Sequence, residues 1–180
     1  AYLDLAKSTR DPRIAERATQ LALAARQLPQ ALTAAQLWKE LDPGAANASQ
    51  TVTALLVSQG KLGEAAAPLK ALLASEGSEA GNTFMQMNAL LAKQSDKVGV
   101  LQLVRDVAKG YEKMPESHFA IAQAAGNAKQ FDVTKNETII ALKLKPDWEQ
   151  AALLHSDALR QLEGKPAGAM AFLKNFVAAN

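Results

Sequence analysis

His118 and His155 are the only two histidines in the chain, and by residue type they are its first candidates for acid–base work or metal ligation. They lie a whole repeat apart, with no HxxxH or HExxH spacing to put two imidazoles on one helical face. Each therefore reads as a packing or surface histidine. Gly60-Lys61-Leu62-Gly63 pairs glycine with lysine, as a phosphate-binding loop does, but no glycine precedes it at Walker spacing and no strand leads into it. It reads as a turn between helices. Asn47-Ala48-Ser49 and Asn136-Glu137-Thr138 match the glycosylation acceptor pattern, which has meaning only in a eukaryotic secreted protein. Cysteine is absent, which removes disulfides, thiolate metal sites and cysteine nucleophiles together and suits a cytoplasm or a periplasm equally. No Ser-His-Asp set follows from spacing. The residues predict no enzyme, no metal and no cofactor.

What positions these residues is a helical chain. Apolar residues make up 48% of the sequence and aromatics 5%, with much alanine and few β-branched runs, which argues against sheets. Twenty basic against eighteen acidic residues leave +2, spread without blocks of one sign, which argues against nucleic acid or an anionic membrane as the main ligand. No apolar run approaches the ~18 residues that a membrane span needs.

A period organises the helices. In Ala31 to Pro43, small or apolar residues fall at Ala31, Ala35 and Trp38, and a shift of 34 returns them as Ala65, Leu69 and Leu72, with Gly77 near the place of Pro43. The same shift carries Leu28 onto Leu62 and Arg26, in the inter-helix turn, onto Gly60. A unit this short cannot bury its own apolar face, so neighbours must stack. The predicted order begins with an orphan second helix (1–10). Repeats follow at about 12–43, 45–77, 78–111, 115–146 and 147–180, as one array over 1–180. Asp42-Pro43-Gly44 and Lys145-Pro146-Asp147 are helix stops, Asp11-Pro12 is a helix start, and Tyr111 to Met114 is an insertion. Short turns make consecutive helices antiparallel neighbours.

The period, the small residue opening the second helix, the large apolar residues four and seven later and the closing proline resemble the tetratricopeptide repeat (TPR). The best units are Pro12 to Pro43, Ala45 to Gly77 and Pro115 to Pro146. First helices depart from the family pattern, with Ala15, Ala18, Thr19 and Ala22 in repeat one and Thr83, Gln86, Met87 and Leu90 in repeat three. The resemblance implies an all-α fold, a right-handed α-solenoid of antiparallel helix pairs. It also implies a concave face of first helices that binds a protein or peptide. Carried over, the groove positions are Arg13, Glu16, Gln20 and Leu23, then Asn47, Gln50, Ala54 and Val57. Repeat three offers Phe84, Asn88 and Leu91, repeat four Glu116, Phe119, Gln123 and Asn127, and repeat five Gln150, Leu153, Asp157 and Arg160. Amides dominate and cations are sparse, so this is not the clamp with which some relatives grip a terminal carboxylate.

Several of these residues have a plainer role. Phe84 and Phe119 suit packing better than ligand contact, Trp38, Trp148 and Phe176 fall on core positions, and Met85 and Met87 read as gap-fillers between helices. Arg13, Glu16 and Arg17 can be a solvated face.

The expected function is a non-catalytic scaffold or adaptor that takes a protein or peptide partner. The alternative is a structural or self-association arm whose groove is unused. Tyr2-Leu3-Asp4-Leu5-Ala6 followed by Thr9 to Ala18 is similar to a segment of proteobacterial envelope TPR proteins, including outer-membrane lipoproteins. That likeness implies a periplasmic or outer-membrane-associated place, held through an anchor absent from this sequence, with the cytoplasm as alternative. The chain opens on Ala1 inside a helical run and reads as a fragment of a longer protein.

Overall fold

The computed structural model describes residues 1–180 and contains eleven α-helices and no strand. Contacts group them into two compact units, Ala1–Ser75 and Glu76–Asn180. The first unit holds α1 (Tyr2–Thr9), α2 (Pro12–Ala24), α3 (Leu28–Leu41), α4 (Ala46–Ser58) and α5 (Leu62–Glu76). After a 3-10 turn at Gly77–Glu79, the second holds α6 (Ala80–Leu91), α7 (Lys97–Val107), α8 (Pro115–Asn127), α9 (Phe131–Leu144), α10 (Glu149–Glu163) and α11 (Pro166–Ala179).

Helix ends follow from local chemistry. The Asp11 carboxylate accepts from the Arg13 amide at 2.9 Å and caps α2, where Pro12 occupies a position whose missing N–H costs nothing. Asp96 does the same for α7, accepting from the Gly99 amide at 2.8 Å. At the hairpin turns one residue takes the left-handed conformation: Arg26 (φ 55), Gly60 (φ 70), Lys129 (φ 58) and Gly164 (φ 64). In three of them the next amide reaches back to close the helix, Gln27 to Ala22 O, Lys61 to Leu56 O and Gln130 to Ala125 O, each at 2.9 Å. The Arg26-to-Gly60 shift seen in the sequence is thus one turn built twice.

Two boundaries differ from expectation. Helix α5 starts at Leu62, so Gly63 lies in its first turn, because only Gly60 carries the positive φ that breaks the chain. From the sequence α9 reads as beginning at Lys129; it starts at Phe131, because the left-handed φ of Lys129 cannot continue into a helix.

Packing follows the period. Within the first unit α2 lies on α3 and α3 on α4; within the second α8 lies on α9, α9 on α10 and α10 on α11. Ala31, Ala35 and Trp38 are all buried, as are Ala65 and Leu69, while Leu72 is half-buried. Trp38 packs with Ala6, Ala15 and Ala48, fully buried alanines whose size lets helices approach. Trp148 plays the same part with Phe119, Ala141 and Ala151. Burying a large apolar side chain contributes about 1.5–3 kcal/mol, so these clusters carry much of the stacking energy. Both tryptophans are core, as their spacing predicts; Phe176 is only half-buried.

Candidate functional site: a hollow across three first helices

In the second unit α8 packs against both α6 and α10. These are the first helices of three successive pairs, and they form a row. Along it lies an open hollow of about 330 Å³ lined by Met85 of α6, Phe119 and Gln123 of α8, and Gln150, Leu153 and Leu154 of α10. Two other hollows lie elsewhere on the chain. One, of about 360 Å³, lies against Ala1–Asp4 and the facing parts of α2 and α3; the other, of about 710 Å³, opens over the loop Gly110–Glu116.

The row is tight. A Cβ placed on Gly81 of α6 would come within 3.1 Å of the Glu116 side chain on α8, so glycine there permits the approach of the two helices. Phe119 forms the floor, buried with its ring centroid 4.7 Å from that of Trp148. Above it Leu153 is 58% exposed, and Gln123 is half-buried. Gln150 is exposed and its Oε1 accepts from Trp148 Nε1 at 3.2 Å. Of the remaining expected positions in this unit, Asn127 is exposed at the end of α8, and Asp157 and Arg160 pair with each other at 3.1 Å.

Repeat three requires a correction. Phe84, Asn88 and Leu91 do not line a groove; all three are buried. Helix α6 buries the stripe Ala80, Phe84, Met87, Asn88 and Leu91, and the Phe84 ring meets Tyr111 edge-on at 5.4 Å. The residue of α6 that lines the hollow is the next one along, Met85, a turn of ~100° away on the helix. The apolar spacing of Ala80, Phe84, Met87 and Leu91 signals this stripe, but the amide of Asn88 hides it. That amide is costly, since its Nδ2 is buried without a partner. Phe119 also moves from contact surface to floor, and Val57 in the first unit is fully buried. Met87 is a buried gap-filler as expected, whereas Met85 and Leu154 line the hollow at positions that the family pattern does not mark.

In the first unit Arg13, Gln20, Asn47 and Gln50 are exposed and Glu16 half-buried. The face of α2 is largely self-satisfied. Arg13 grips Asp11 with Nε at 3.1 Å and Nη2 at 2.7 Å, Gln20 donates to Glu16 at 3.2 Å, and Arg17 donates to Gln20 at 3.2 Å. The bond from Arg13 holds the Asp11 carboxyl below the ordinary carboxylate range.

The histidines serve packing. His118 on α8 is buried, with Nδ1 at 2.7 Å from Glu137 Oε2 and Nε2 at 2.9 Å from the Glu112 carbonyl. His155 on α10 is buried against the Phe172 ring at 4.4 Å, with Nδ1 at 2.8 Å from Thr138 Oγ1. Neither ring faces the hollow's lining, and their partners lie on α9 and on the loop before α8.

No family model matches the sequence and no curated protein does. Solved structures do match. A TPR repeat-containing protein of Cytophaga hutchinsonii, in its C-terminal part, superposes with a TM-score of 0.57 at 12% identity, covering 98% of this chain and 70% of that one. YrrB, described as a TPR protein with an unusual peptide-binding site, gives 0.54 at 16% identity, covering 99% and 91%. MamA from Desulfovibrio magneticus RS-1, from residue 41 of its own chain, gives 0.53 at 14% identity, covering 93% of each. The chain has the all-α fold of helix pairs that these TPR proteins share.

Proposed function

We propose that this protein is a non-catalytic scaffold that binds a protein or peptide partner along its first helices, chiefly across α6, α8 and α10. The observation that carries the reading is the hollow at Met85, Phe119, Gln123, Gln150, Leu153 and Leu154. Three consecutive first helices contribute side chains there that are apolar or amide in type and, apart from the buried Phe119, still open to solvent. Amides supply directional bonds and the exposed leucine supplies area, the mixture by which extended segments are held. The likeness to YrrB supports the same reading.

Site-directed photocrosslinking tests it. The whole chain carries a benzophenone side chain at Gln123 or, as control, at Lys143 on the exposed side of α9, and is incubated with extracts of the source cells. A protein captured at position 123 and not at 143 is expected. Capture only at 143 would remove this reading.

A second reading, self-association through the second helices, is favoured by exposed apolar residues there: Ile139, Ile140 and Leu144 on α9, and Met170 and Val177 on α11. Mass that rises with concentration in sedimentation would favour it. An envelope location completes the first reading, supported by the likeness of Tyr2 to Ala18 to envelope TPR proteins. No helix is long and apolar enough to cross a membrane. Recovery of the protein in cytosolic fractions alone would remove the envelope location.

A further inference from the structure

We infer that the hollow selects one large uncharged side chain from an extended segment of the partner, with Gln150 donating to a backbone carbonyl beside it. This rests on the scaffold reading and narrows it to a chemical class. Consider first what the hollow refuses. Its lining is four apolar side chains and two amides, with no charge of either sign. Farther along α10, Arg160 is already paired with Asp157. A charged side chain entering would lose hydration and gain no counter-ion.

What the hollow accepts follows from the polarity of Gln150. The indole N–H of Trp148 can only donate, so the amide atom facing it must be the oxygen. The amide nitrogen is left over, with donors and no acceptor role. Trp148 cannot swing away to release it, because its ring lies on Phe119 at 4.7 Å and under the Lys145 ammonium at 5.0 Å. A donor at an apolar rim calls for an acceptor, and the carbonyl of an extended peptide supplies one next to each side chain. The volume of about 330 Å³ lies at the low end of the ~300–1,000 Å³ typical of ligand clefts, which suits a side chain and not a whole helix. Met85, flexible and half-buried at one wall, can adapt to aromatic or branched shapes.

The test uses methyl-labelled methionine in the full chain, which has four methionines, with the Met85 signal identified by Met85→Leu. Two probes are titrated at millimolar concentration: acetyl-Gly-Ser-Phe-Ser-Gly-amide, and the same peptide with Glu in place of Phe. The Phe peptide is expected to move the Met85 methyl saturably and the Glu peptide to leave it still. Gln150→Leu, at an exposed position and with the Trp148 ring still held against Phe119, should weaken the Phe peptide by roughly 3- to 10-fold, the loss of one hydrogen bond. Equal response to both peptides, or no response of Met85 to either, overturns the inference. If crosslinking at Gln123 still captures a partner in that case, the scaffold reading survives; if it does not, both fail.

Discussion

His155 on α10 holds Thr138 on α9, with Nδ1 of the ring 2.8 Å from Oγ1 of the hydroxyl. The residue before Thr138 is Glu137, which takes His118 of α8 at 2.7 Å. Neighbouring positions on α9 are thus tied to the helices on either side. The Thr138 hydroxyl has one hydrogen, and backbone carbonyls of Thr134 and Lys135 lie at 2.8 and 2.9 Å to receive it. Its oxygen then accepts from the imidazole, which places the proton of a neutral ring on Nδ1.

That arrangement makes stability fall in mild acid. Burial lowers the pKa of His155 from the usual imidazole value; a bond to the Lys135 backbone opposes it in part, and the smaller effect of the Lys135 charge adds to the lowering. The unfolded chain takes up a proton below about pH 6.5 while the folded ring still refuses it. Unfolding is therefore favoured by acid: the contribution is complete above about 6.5 and is lost as pH falls through the lowered folded value. Urea midpoints should drop between pH 8 and pH 5.5, and His155→Gln should flatten that drop. An unchanged midpoint in the wild type would sink the idea.

The other tie makes a different prediction. His118 meets two acceptors, the Glu137 carboxylate and the Glu112 carbonyl. Glu137→Ala leaves a buried ring nitrogen without its partner and should cost about 1–3 kcal/mol in denaturant unfolding. A double-mutant cycle with His118→Ala should return coupling of about 0.5–3 kcal/mol, whereas additive losses would show that the pair does not hold α8 to α9.

Phe119 and Gln123 occupy the same hollow with opposite expectations. Phe119 is buried on Trp148, so Phe119→Ala should cost about 3–5 kcal/mol and show in the melting temperature. Gln123 has a half-buried side chain outside the core clusters, and Gln123→Ala should leave stability within about 0.5 kcal/mol while weakening partner capture. A large loss of stability from Gln123→Ala would place it in the core instead.

How much of this could be read from residues alone depends on whether the signal is local. Second-helix positions such as Ala31, Ala35, Trp38 and Ala65 are apolar and periodic, and they are buried as their spacing implies. Thr134 and Thr138 keep that spacing while being polar, because each hydroxyl bonds a carbonyl, Thr134 reaching Ala122 O on α8 at 3.1 Å and Thr138 reaching Thr134 O. Hydropathy does not reveal such residues as core. First helices were harder: α6 carries apolar residues on more than one side, so Phe84 and Met85 compete for the groove and only packing on Tyr111 decides it. The bonds of His118 and His155 span 19 and 17 residues, a separation at which spacing carries no information about contact.

The turns provide the last prediction. Gly60 and Gly164 adopt left-handed φ at no steric cost, while Arg26 and Lys129 adopt it with a side chain attached, at a penalty of roughly 1–2 kcal/mol. Glycine relieves that strain but adds freedom to the unfolded chain, which returns part of the gain. Arg26→Gly and Lys129→Gly should each stabilise by about 0.5–1 kcal/mol, read as a higher urea midpoint with unchanged slope. A Cβ added at Gly60 or Gly164 meets no atom within 4 Å, so Gly60→Ala and Gly164→Ala should lose about 1 kcal/mol through backbone strain alone. If the glycine substitutions destabilise instead, then the Arg26 and Lys129 side chains contribute contacts worth more than the strain. The equivalence of Arg26 with Gly60 would then hold for the backbone path but not for its energetics.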